Sequence, residues 1–320
     1  MNSNRTGTAE KLINEVRSKL GKAGGWPNYF GYDIDGDCIT ISVNEDFLQK
    51  KVSRGLDPWG LALFDKARGE GIKINTLNFV ISGQIQIHNP YLEALRRRVS
   101  FLSMNNAYIS FEITLNGKFV KLYSAQALFN RPEGELIRNH FGRGGTDNKP
   151  GRIEKDFQTF LFGYRIEKDD KTNERLAVLG FDFFNLKKRG LGIIREFPTG
   201  SFLEKITNKN RILPTEFVDI VTLNKHGKLA IIELKINDSQ LEVIAQLVDY
   251  SLFFRCYIDK LLPIIKDKLR HNPKDKEFIC YVVNNHFHDK FDDVIKYYGT
   301  KNKSYGFRIA KVVLGDCKEV

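Results

Sequence analysis

The chain has 320 residues, of which 42% are hydrophobic and 28% are charged, an ordinary balance for a globular protein of one or two domains. No apolar run is long enough to cross a bilayer and the first residues lead into no signal-peptide core, so we expect a cytoplasmic protein without membrane contact. The net charge of +11, shared by both halves, favours nucleic acid as a partner because phosphate contacts release counterions.

The first 140 residues alternate between helical and strand-like patterns and resemble no family. The predicted elements are a helix over 10–20, a strand over 38–43, a helix starting near Pro58, a strand over 77–81, and a hairpin of 107–115 and 118–123 around Asn116-Gly117. We therefore predict a separate N-terminal mixed α+β domain over residues 1–145. Substrate selection, self-association and binding of another protein all remain open for it.

The chain divides most naturally at residues 141–151, which combine four glycines with a proline. A surface loop inside one domain is the alternative interpretation. No Gly-Lys-Ser/Thr follows the glycines, so a phosphate-binding loop is not indicated. The second predicted domain covers residues 146–320.

The second half follows the pattern of a mixed α/β domain. The predicted elements are a helix over 152–162, a strand over 192–197, a hairpin of 216–223 and 229–236 around a Gly-containing turn, a helix over 240–250 capped within 237–239, a strand over 278–283, a helix over 289–298, and a strand over 307–314. This succession predicts the α/β class, with a mixed central sheet flanked by helices.

Three charged residues interrupt the apolar runs of the predicted hairpin. Asp219 lies within the first run, and Glu233 and Lys235 lie within the second. Because side chains alternate along a strand, Glu233 and Lys235 share one face, which Asp219 can reach from the neighbouring strand. Buried charge is costly unless it is paired, and a divalent cation bound by oxygen ligands would give these three groups a common purpose.

This arrangement resembles the PD-(D/E)xK nuclease superfamily, whose signature is an Asp on one strand and Glu-x-Lys on the next. Gln246 and Tyr250, four residues apart on one helical face, match the Gln-x-x-x-Tyr helix of the RecB-like and NucS-like branches. The amphipathic segment that begins near Glu154 is similar to the first helix of those nucleases. The resemblance covers residues 152–320 and implies a restriction-endonuclease-like fold.

The resemblance also implies roles for individual residues. Asp219, Glu233 and the backbone carbonyl of Leu234 would hold Mg²⁺, for which Mn²⁺ could substitute, and Glu154 would bind a second metal or a metal-bound water. Lys235 would position the attacking water and stabilise developing negative charge. Gln246 would orient the nucleophile or contact a phosphate, and Tyr250 would contact the nucleic-acid backbone.

Each assignment has an alternative. Glu216 could replace Asp219 as the ligand, and Asp219 could cap a turn. Glu233 and Lys235 could form an ordinary ion pair on an exposed edge strand, whereas Glu154 could face solvent. Gln246 and Tyr250 could be residues at the edge of the core.

Two basic clusters are further candidates for phosphate contacts. They are Arg96-Arg97-Arg98 and the group Lys187, Lys188 and Arg189, although a solvated face is the ordinary position for either cluster alone. The four cysteines, at positions 38, 256, 280 and 317, form no Cys-x-x-Cys pair, which argues against a zinc ribbon or an iron–sulfur cluster.

The sequence thus predicts a Mg²⁺-dependent nuclease that hydrolyses phosphodiester bonds, in DNA rather than RNA, for DNA repair or for defence against foreign DNA. Its expected partner is nucleic acid, with a homo-oligomer as an option. The second hypothesis is a nuclease-fold module that binds nucleic acid or protein without cutting. A third is that residues 1–140 sense a small molecule and gate the other half.

Overall fold

The structure is a computed structural model that describes residues 11–12, 14, 27–48, 54–85, 88–130, 134–138, 153–162, 193–299 and 305–314. Within these ranges the chain forms two five-stranded mixed sheets flanked by helices, together with one small two-stranded sheet. The α/β class and the mixed sheet predicted from the sequence are therefore confirmed. None of the described helices is long and apolar enough to pass through a membrane.

The first sheet belongs to the N-terminal half and has the order β1-β2-β3-β4-β5. Its inner pairs, β2 with β3 and β3 with β4, are parallel, and its two edge pairs are antiparallel. The elements are β1 (Gly31–Asp35), β2 (Cys38–Asn44), α1 (Glu45–Leu48), α2 (Leu56–Gly69), β3 (Thr76–Ser82), α3 (Pro90–Asn105), β4 (Ser110–Leu115), β5 (Lys118–Phe119) and α4 (Ala125–Phe129).

The second sheet belongs to the C-terminal half and has the order β12-β11-β10-β9-β7. Strands β7, β9 and β10 form an antiparallel meander, and β11 and β12 continue it in parallel. The elements are β6 (Glu135–Ile137), α5 (Ile153–Phe162), β7 (Ile193–Pro198), β8 (Ser201–Leu203), β9 (Phe217–Leu223), β10 (Leu229–Leu234), α6 (Glu242–Leu269), β11 (Phe278–Asn284), α7 (Phe291–Ile295) and β12 (Phe307–Val313). Strands β6 and β8 pair as the small sheet.

Most predicted elements of both halves are confirmed, with shifted ends. The predicted hairpin around Asn116-Gly117 exists, but β5 is only two residues long. The helix predicted over 289–298 divides into α7 and a 3₁₀ turn at Lys296–Tyr298. Of the helix predicted over 10–20, only Lys11, Leu12 and Asn14 are described, and they are helical.

The β9–β10 turn fixes the register of the hairpin that carries Asp219 and Glu233. The side chain of Asn224 accepts hydrogen bonds from the backbone N–H of His226 and of Lys228, each at 3.0 Å. Gly227 has φ +74°, a left-handed conformation that a residue without a Cβ adopts at little cost. Leu223 therefore pairs with Leu229, and the ladder runs to Ile220 and Ile232.

Helix α6 begins later than the sequence predicted. Its N-cap is Leu241, with no side-chain cap, so the cap predicted within 237–239 is wrong. Asp238 instead accepts a hydrogen bond from the backbone N–H of Gln240 at 3.0 Å, which holds a turn ahead of the helix. The helix bends at Tyr257, whose φ of −118° and ψ of 15° lie outside the helical region.

The environment of the arginine cluster on helix α3 differs most from what the sequence predicted. Arg97 and Arg98 are only 2% and 0% exposed, so the solvated face expected for this cluster is wrong. Arg98 forms ion pairs at 2.9 Å with Asp57 on α2 and with Asp249 on α6, and Asp57 also accepts a hydrogen bond from Tyr298 at 2.6 Å. Buried charge persists here because every charge in the network has a partner.

One continuous apolar core joins the two halves. It contains Trp59 and Phe101 from the N-terminal half together with Val248 and Phe254 from α6. The predicted division near residue 145 stays a prediction, because residues 139–152 lie outside the described part of the chain. Whatever its boundary, the helices of the first sheet pack directly on the helix that serves the second.

The carboxyl group of Glu242, the first residue of α6, is largely shielded from solvent. Burial raises the pKa of its side chain, whose Oε1 accepts a hydrogen bond from Trp59 Nε1 at 3.1 Å. A folded-state pKa above the ordinary value means that stability present below about pH 4.3 is lost as the pH rises through the raised pKa. We therefore expect Glu242→Gln to raise the melting temperature by a few degrees at pH 8 and to change it little at pH 4.

Thermal unfolding at the two pH values measures this effect. Glu70→Gln is the matched control, because Lys66 and Lys11 lower the pKa of that exposed carboxylate and its replacement should not stabilise the fold. A Glu242→Gln variant less stable than the parent at pH 8 would contradict the prediction.

Candidate active site

The ends of β9 and β10 bring Asp219 and Glu233 to one place. The backbone pairing of β9 with β10 ends at Ile220 and Ile232. Beyond this pair, the backbone N–H of Leu234 donates a hydrogen bond to Asp219 Oδ2 at 2.8 Å. Strand β10 is the central strand of its sheet and Glu233 is 2% exposed, so the exposed-edge alternative is wrong. Asp219 lies within a strand, so it does not cap a turn.

Glu233 is the centre of the cluster. Its Oε1 accepts hydrogen bonds from Lys235 Nζ at 2.8 Å and from Gln246 Nε2 at 2.5 Å. Its Oε2 is buried and has no hydrogen-bond partner among the residues that the structure describes. A buried carboxylate oxygen without a hydrogen-bond partner is costly. This cost indicates that a bound group from outside the polypeptide lies beside Glu233 Oε2.

Gln246 and Tyr250 lie on one face of α6, as their spacing predicted. Gln246 Nε2 donates to the Tyr250 hydroxyl at 2.8 Å, and this hydroxyl donates to the Phe217 carbonyl at 3.0 Å. Tyr250 is 1% exposed, so the predicted direct contact with a nucleic-acid backbone is wrong. Its hydroxyl instead ties α6 to the start of β9 and orients Gln246.

We expect Tyr250→Phe to slow any cleavage about 10-fold or more, because a 1.4 kcal/mol loss of orientation at Gln246 already gives that factor. It should also lower the free energy of unfolding by about 1–3 kcal/mol, because the Phe217 carbonyl loses its donor. Affinity for the expected DNA substrate should hardly change. Cleavage rates, urea unfolding and DNA titration measure the three effects, and Tyr108→Phe on the exposed surface is the control. Weaker DNA binding with an unchanged rate would contradict this role for Tyr250.

Helix α5 covers the cluster and contributes two residues four positions apart. Glu154 Oε1 lies 3.7 Å from Lys235 Nζ, and its side chain is 40% exposed, so it lies where the site meets solvent. Gln158 is 4% exposed, and its Nε2 donates to Asp219 Oδ1 at 3.1 Å and to the Asp219 carbonyl at 3.3 Å. Gln158 was missed by the sequence analysis, although its spacing from Glu154 on an amphipathic helix is a detectable signal.

Strand β7 is irregular directly opposite Asp219. Arg195 pairs with Ile220 and Phe197 with Val218, but the intervening pair of Glu196 with Asp219 is missing. Glu196 has φ +49°, a left-handed conformation that strains a non-glycine residue and recurs at functional sites. Because this pair is missing, the Asp219 carbonyl accepts its hydrogen bond from the Gln158 side chain. Gln158 Oε1 in turn accepts hydrogen bonds from Arg195 Nε and Nη2 at 3.2 and 3.0 Å.

The electrostatics of the cluster favour a cation. Burial raises the pKa of Asp219 well above its usual range, and the neighbouring Glu233 raises it further. Burial likewise raises the pKa of Glu154. Lys235 carries positive charge beside three carboxylates, which together outweigh its desolvation and raise its pKa. A divalent cation would offset the remaining negative charge that burial makes costly.

The donor set fits Mg²⁺ in part. Asp219 and Glu233 supply two carboxylates, and Mg²⁺ commonly uses one or two together with waters and substrate phosphate. The Leu234 carbonyl lies at the same end of β10. In the described part of the chain, no three His, Cys, Asp or Glu residues converge as a complete metal site. The residues present therefore fit a cation that completes its coordination with solvent or substrate.

The chain matches no protein-family model and no curated protein.

The other sequence candidates lie apart from the cluster or outside the described residues. Glu216, the alternative to Asp219, forms an ion pair with Arg54 at 3.1 Å, so the structure places Asp219 and not Glu216 beside Glu233. Lys187, Lys188 and Arg189 lie outside the described residues. Cys38, Cys256 and Cys280 form no disulfide within the described part of the chain.

Proposed function

We propose that the chain is a metal-dependent nuclease that hydrolyses phosphodiester bonds, preferably in DNA. The observation that carries this proposal is the open Oε2 of Glu233, buried beside Asp219 and a lysine at the end of the central strand pair. Mg²⁺ at this position, or Mn²⁺ in its place, would give that oxygen a partner.

The order of elements supports the same proposal. Helix α5 precedes an antiparallel meander of β7, β9 and β10, and α6 then leads to β11, which is parallel to β10. This is the order that a restriction-endonuclease-like fold would require, with the acidic residues on the second and third strands. Gln246 and Tyr250 also lie on the helix that follows the lysine strand, as the family resemblance implies.

Each residue of the cluster has a task in such a reaction. The cation, when bound, would lower the pKa of a coordinated water and offset charge on the phosphate. Lys235 Nζ, held by Glu233, would hydrogen-bond the attacking water and stabilise negative charge as it develops on phosphate oxygens. Gln246 is fixed by Glu233 and Tyr250, so its amide can orient that water. Gln158 and the Leu234 N–H hold the Asp219 carboxylate in place.

A non-cutting module that binds nucleic acid or protein is the second candidate. The net charge of +11 suits such a module as well, because attraction to a polyanion needs positive charge and no metal ligands. The complete set of Asp219, Glu233 and Lys235 favours catalysis, because a binding module has no need to bury these charges together.

Incubating the full chain with plasmid, linear and single-stranded DNA, and with RNA, tests the proposal. We expect cleavage with Mg²⁺ or Mn²⁺ and none with EDTA, because the two carboxylates cannot act on a phosphodiester without a cation. Binding of nucleic acid without cleavage under every metal condition would reject the nuclease and support the binding module. The melting temperature, measured as Mg²⁺ or Mn²⁺ is titrated into the protein, provides a readout that is independent of activity.

A further inference from the structure

A chain of hydrogen bonds joins strand β7 to Asp219 through helix α5. Gln158 on α5 is 4% exposed, and its Oε1 accepts hydrogen bonds from Arg195 Nε and Nη2 at 3.2 and 3.0 Å. At its other end, Gln158 Nε2 donates to Asp219 Oδ1 at 3.1 Å and to the Asp219 carbonyl at 3.3 Å. The buried amide therefore connects the guanidinium on β7 to a carboxylate proposed to bind metal.

The partners of Gln158 allow its amide only one orientation. A guanidinium can only donate hydrogen bonds, whereas a backbone carbonyl and an ionised carboxylate can only accept them. An amide turned by half a rotation would place its NH₂ group against Arg195 and its oxygen against Asp219, so every one of these contacts would become repulsive. Arg195 thus determines that Gln158 presents its N–H groups to Asp219.

The Asp219 carboxylate is held at both of its oxygens. Oδ2 accepts a hydrogen bond from the Leu234 N–H at 2.8 Å, and Oδ1 accepts from Gln158. Two donors on two oxygens fix the rotation of the carboxylate plane, which a single donor would leave free to turn. The lone pairs that the donors do not occupy therefore point in a set direction.

The irregularity of β7 makes this arrangement possible. Arg195 still pairs with Ile220, but the next pair, Glu196 with Asp219, is missing where Glu196 has φ +49°. Arg195 is thus anchored in the regular part of the strand, directly beside the position where the Asp219 carbonyl is open to a side chain.

We propose that Arg195 is a positioning residue for the metal site, a role that rests on the proposed function and acts on Asp219 through Gln158. Hydrogen-bond partners behind a metal ligand hold it in its coordinating geometry, and their removal commonly weakens metal binding by about 10–100-fold. Arg195 would contribute in this way without being a ligand itself.

The sign of the effect separates positioning from charge. A positive charge near the site repels a divalent cation, so a role through charge alone predicts that Mn²⁺ binds more tightly after its removal. Positioning predicts the opposite. We expect Arg195→Met to weaken Mn²⁺ binding by about 10-fold or more. Arg195→Lys keeps the charge but lacks the planar fork of donors, so its affinity should lie between those of Arg195→Met and the parent.

Mn²⁺ titration of the full chain, followed by calorimetry or by the electron paramagnetic resonance signal of free Mn²⁺, measures these affinities without reference to cleavage. The matched control is Arg308→Met, which removes an exposed arginine from β12 at the opposite edge of the same sheet and should leave the affinity unchanged. Binding by Arg195→Met that is as tight as in the parent, or tighter, would overturn the proposal. If Arg195→Met does not fold, Arg195→Lys decides, and parental affinity in that variant overturns it.

A double-mutant cycle tests the route through Gln158. Gln158→Leu removes the amide, so adding Arg195→Met to it should change Mn²⁺ affinity by no more than about twofold. Losses that add in full in the double variant would show that Arg195 acts on the site by another route and would overturn the proposal.

The same titration separates this role from the nuclease proposal. A parent chain that binds Mn²⁺ with an affinity independent of Arg195 rejects the positioning role and leaves the nuclease intact. A parent that binds Mn²⁺ with the expected dependence on Arg195, but cleaves no nucleic acid, rejects the nuclease alone. A parent that binds no Mn²⁺ rejects both.

Discussion

We expect Lys235→Ala to lower the proposed cleavage of phosphodiester bonds by about 10²–10³-fold, because a preorganised donor that stabilises developing charge contributes about that factor. The ammonium lies 2.8 Å from Glu233 and 3.7 Å from Glu154, so it is positioned by two carboxylates before any substrate arrives. Single-turnover rates with Mg²⁺ measure the loss, and DNA affinity measured with Ca²⁺ should be largely retained.

The matched control is Lys225→Ala, on the exposed turn of the same hairpin, which removes one positive charge without touching the cluster. Equal rates for the parent and Lys235→Ala would contradict the role of the ammonium. A parallel loss of DNA affinity and rate would instead assign Lys235 to substrate binding.

Replacing Arg98 with leucine is expected to destabilise the fold by about 3–5 kcal/mol, because it leaves the buried Asp57 and the partly buried Asp249 without their guanidinium partner. Asp57 and the Arg98 side chain are both 0% exposed, so water cannot replace the lost contacts. Urea unfolding at pH 7 measures the change in free energy.

Arg96→Leu controls for the loss of an arginine from the same helix. Arg96 is partly exposed and contacts Tyr123 and the Lys121 carbonyl, so we expect a smaller cost, near 1 kcal/mol. If the Arg98 variant lost no more stability than the Arg96 variant, the buried network would not be a principal support of the fold.

The sequence predicted the carboxylate–lysine cluster because the positions of these residues depend on local sequence patterns. Strand alternation placed Glu233 and Lys235 together, and the Gly-containing turn set the register that brings Asp219 beside them. The four-residue spacing of Gln246 and Tyr250 likewise predicted their shared face. These are short-range relations, which periodicity records directly.

The errors concern partners that are distant in sequence. Arg98 looked like a solvated residue because its acidic partners lie 41 and 151 positions away. Tyr250 looked available to substrate because nothing in the spacing shows that its hydroxyl reaches the Phe217 carbonyl across the fold. The late start of α6 reflects Asp238 bonding to the turn at Gln240 rather than to the helix. Tertiary contacts of this kind leave no periodic trace.

The buried link between Arg98 and Asp249 has a practical consequence for how the C-terminal half is studied. Asp249 directly precedes Tyr250, so a chain shortened to begin near residue 146 would lose the guanidinium that neutralises this acid and the apolar cover supplied by α2 and α3. Such a fragment would carry an orphaned charge beside the tyrosine that aligns Gln246. Biochemistry on the intact polypeptide is therefore the sound choice, and inactivity of the isolated half would say little about the chemistry.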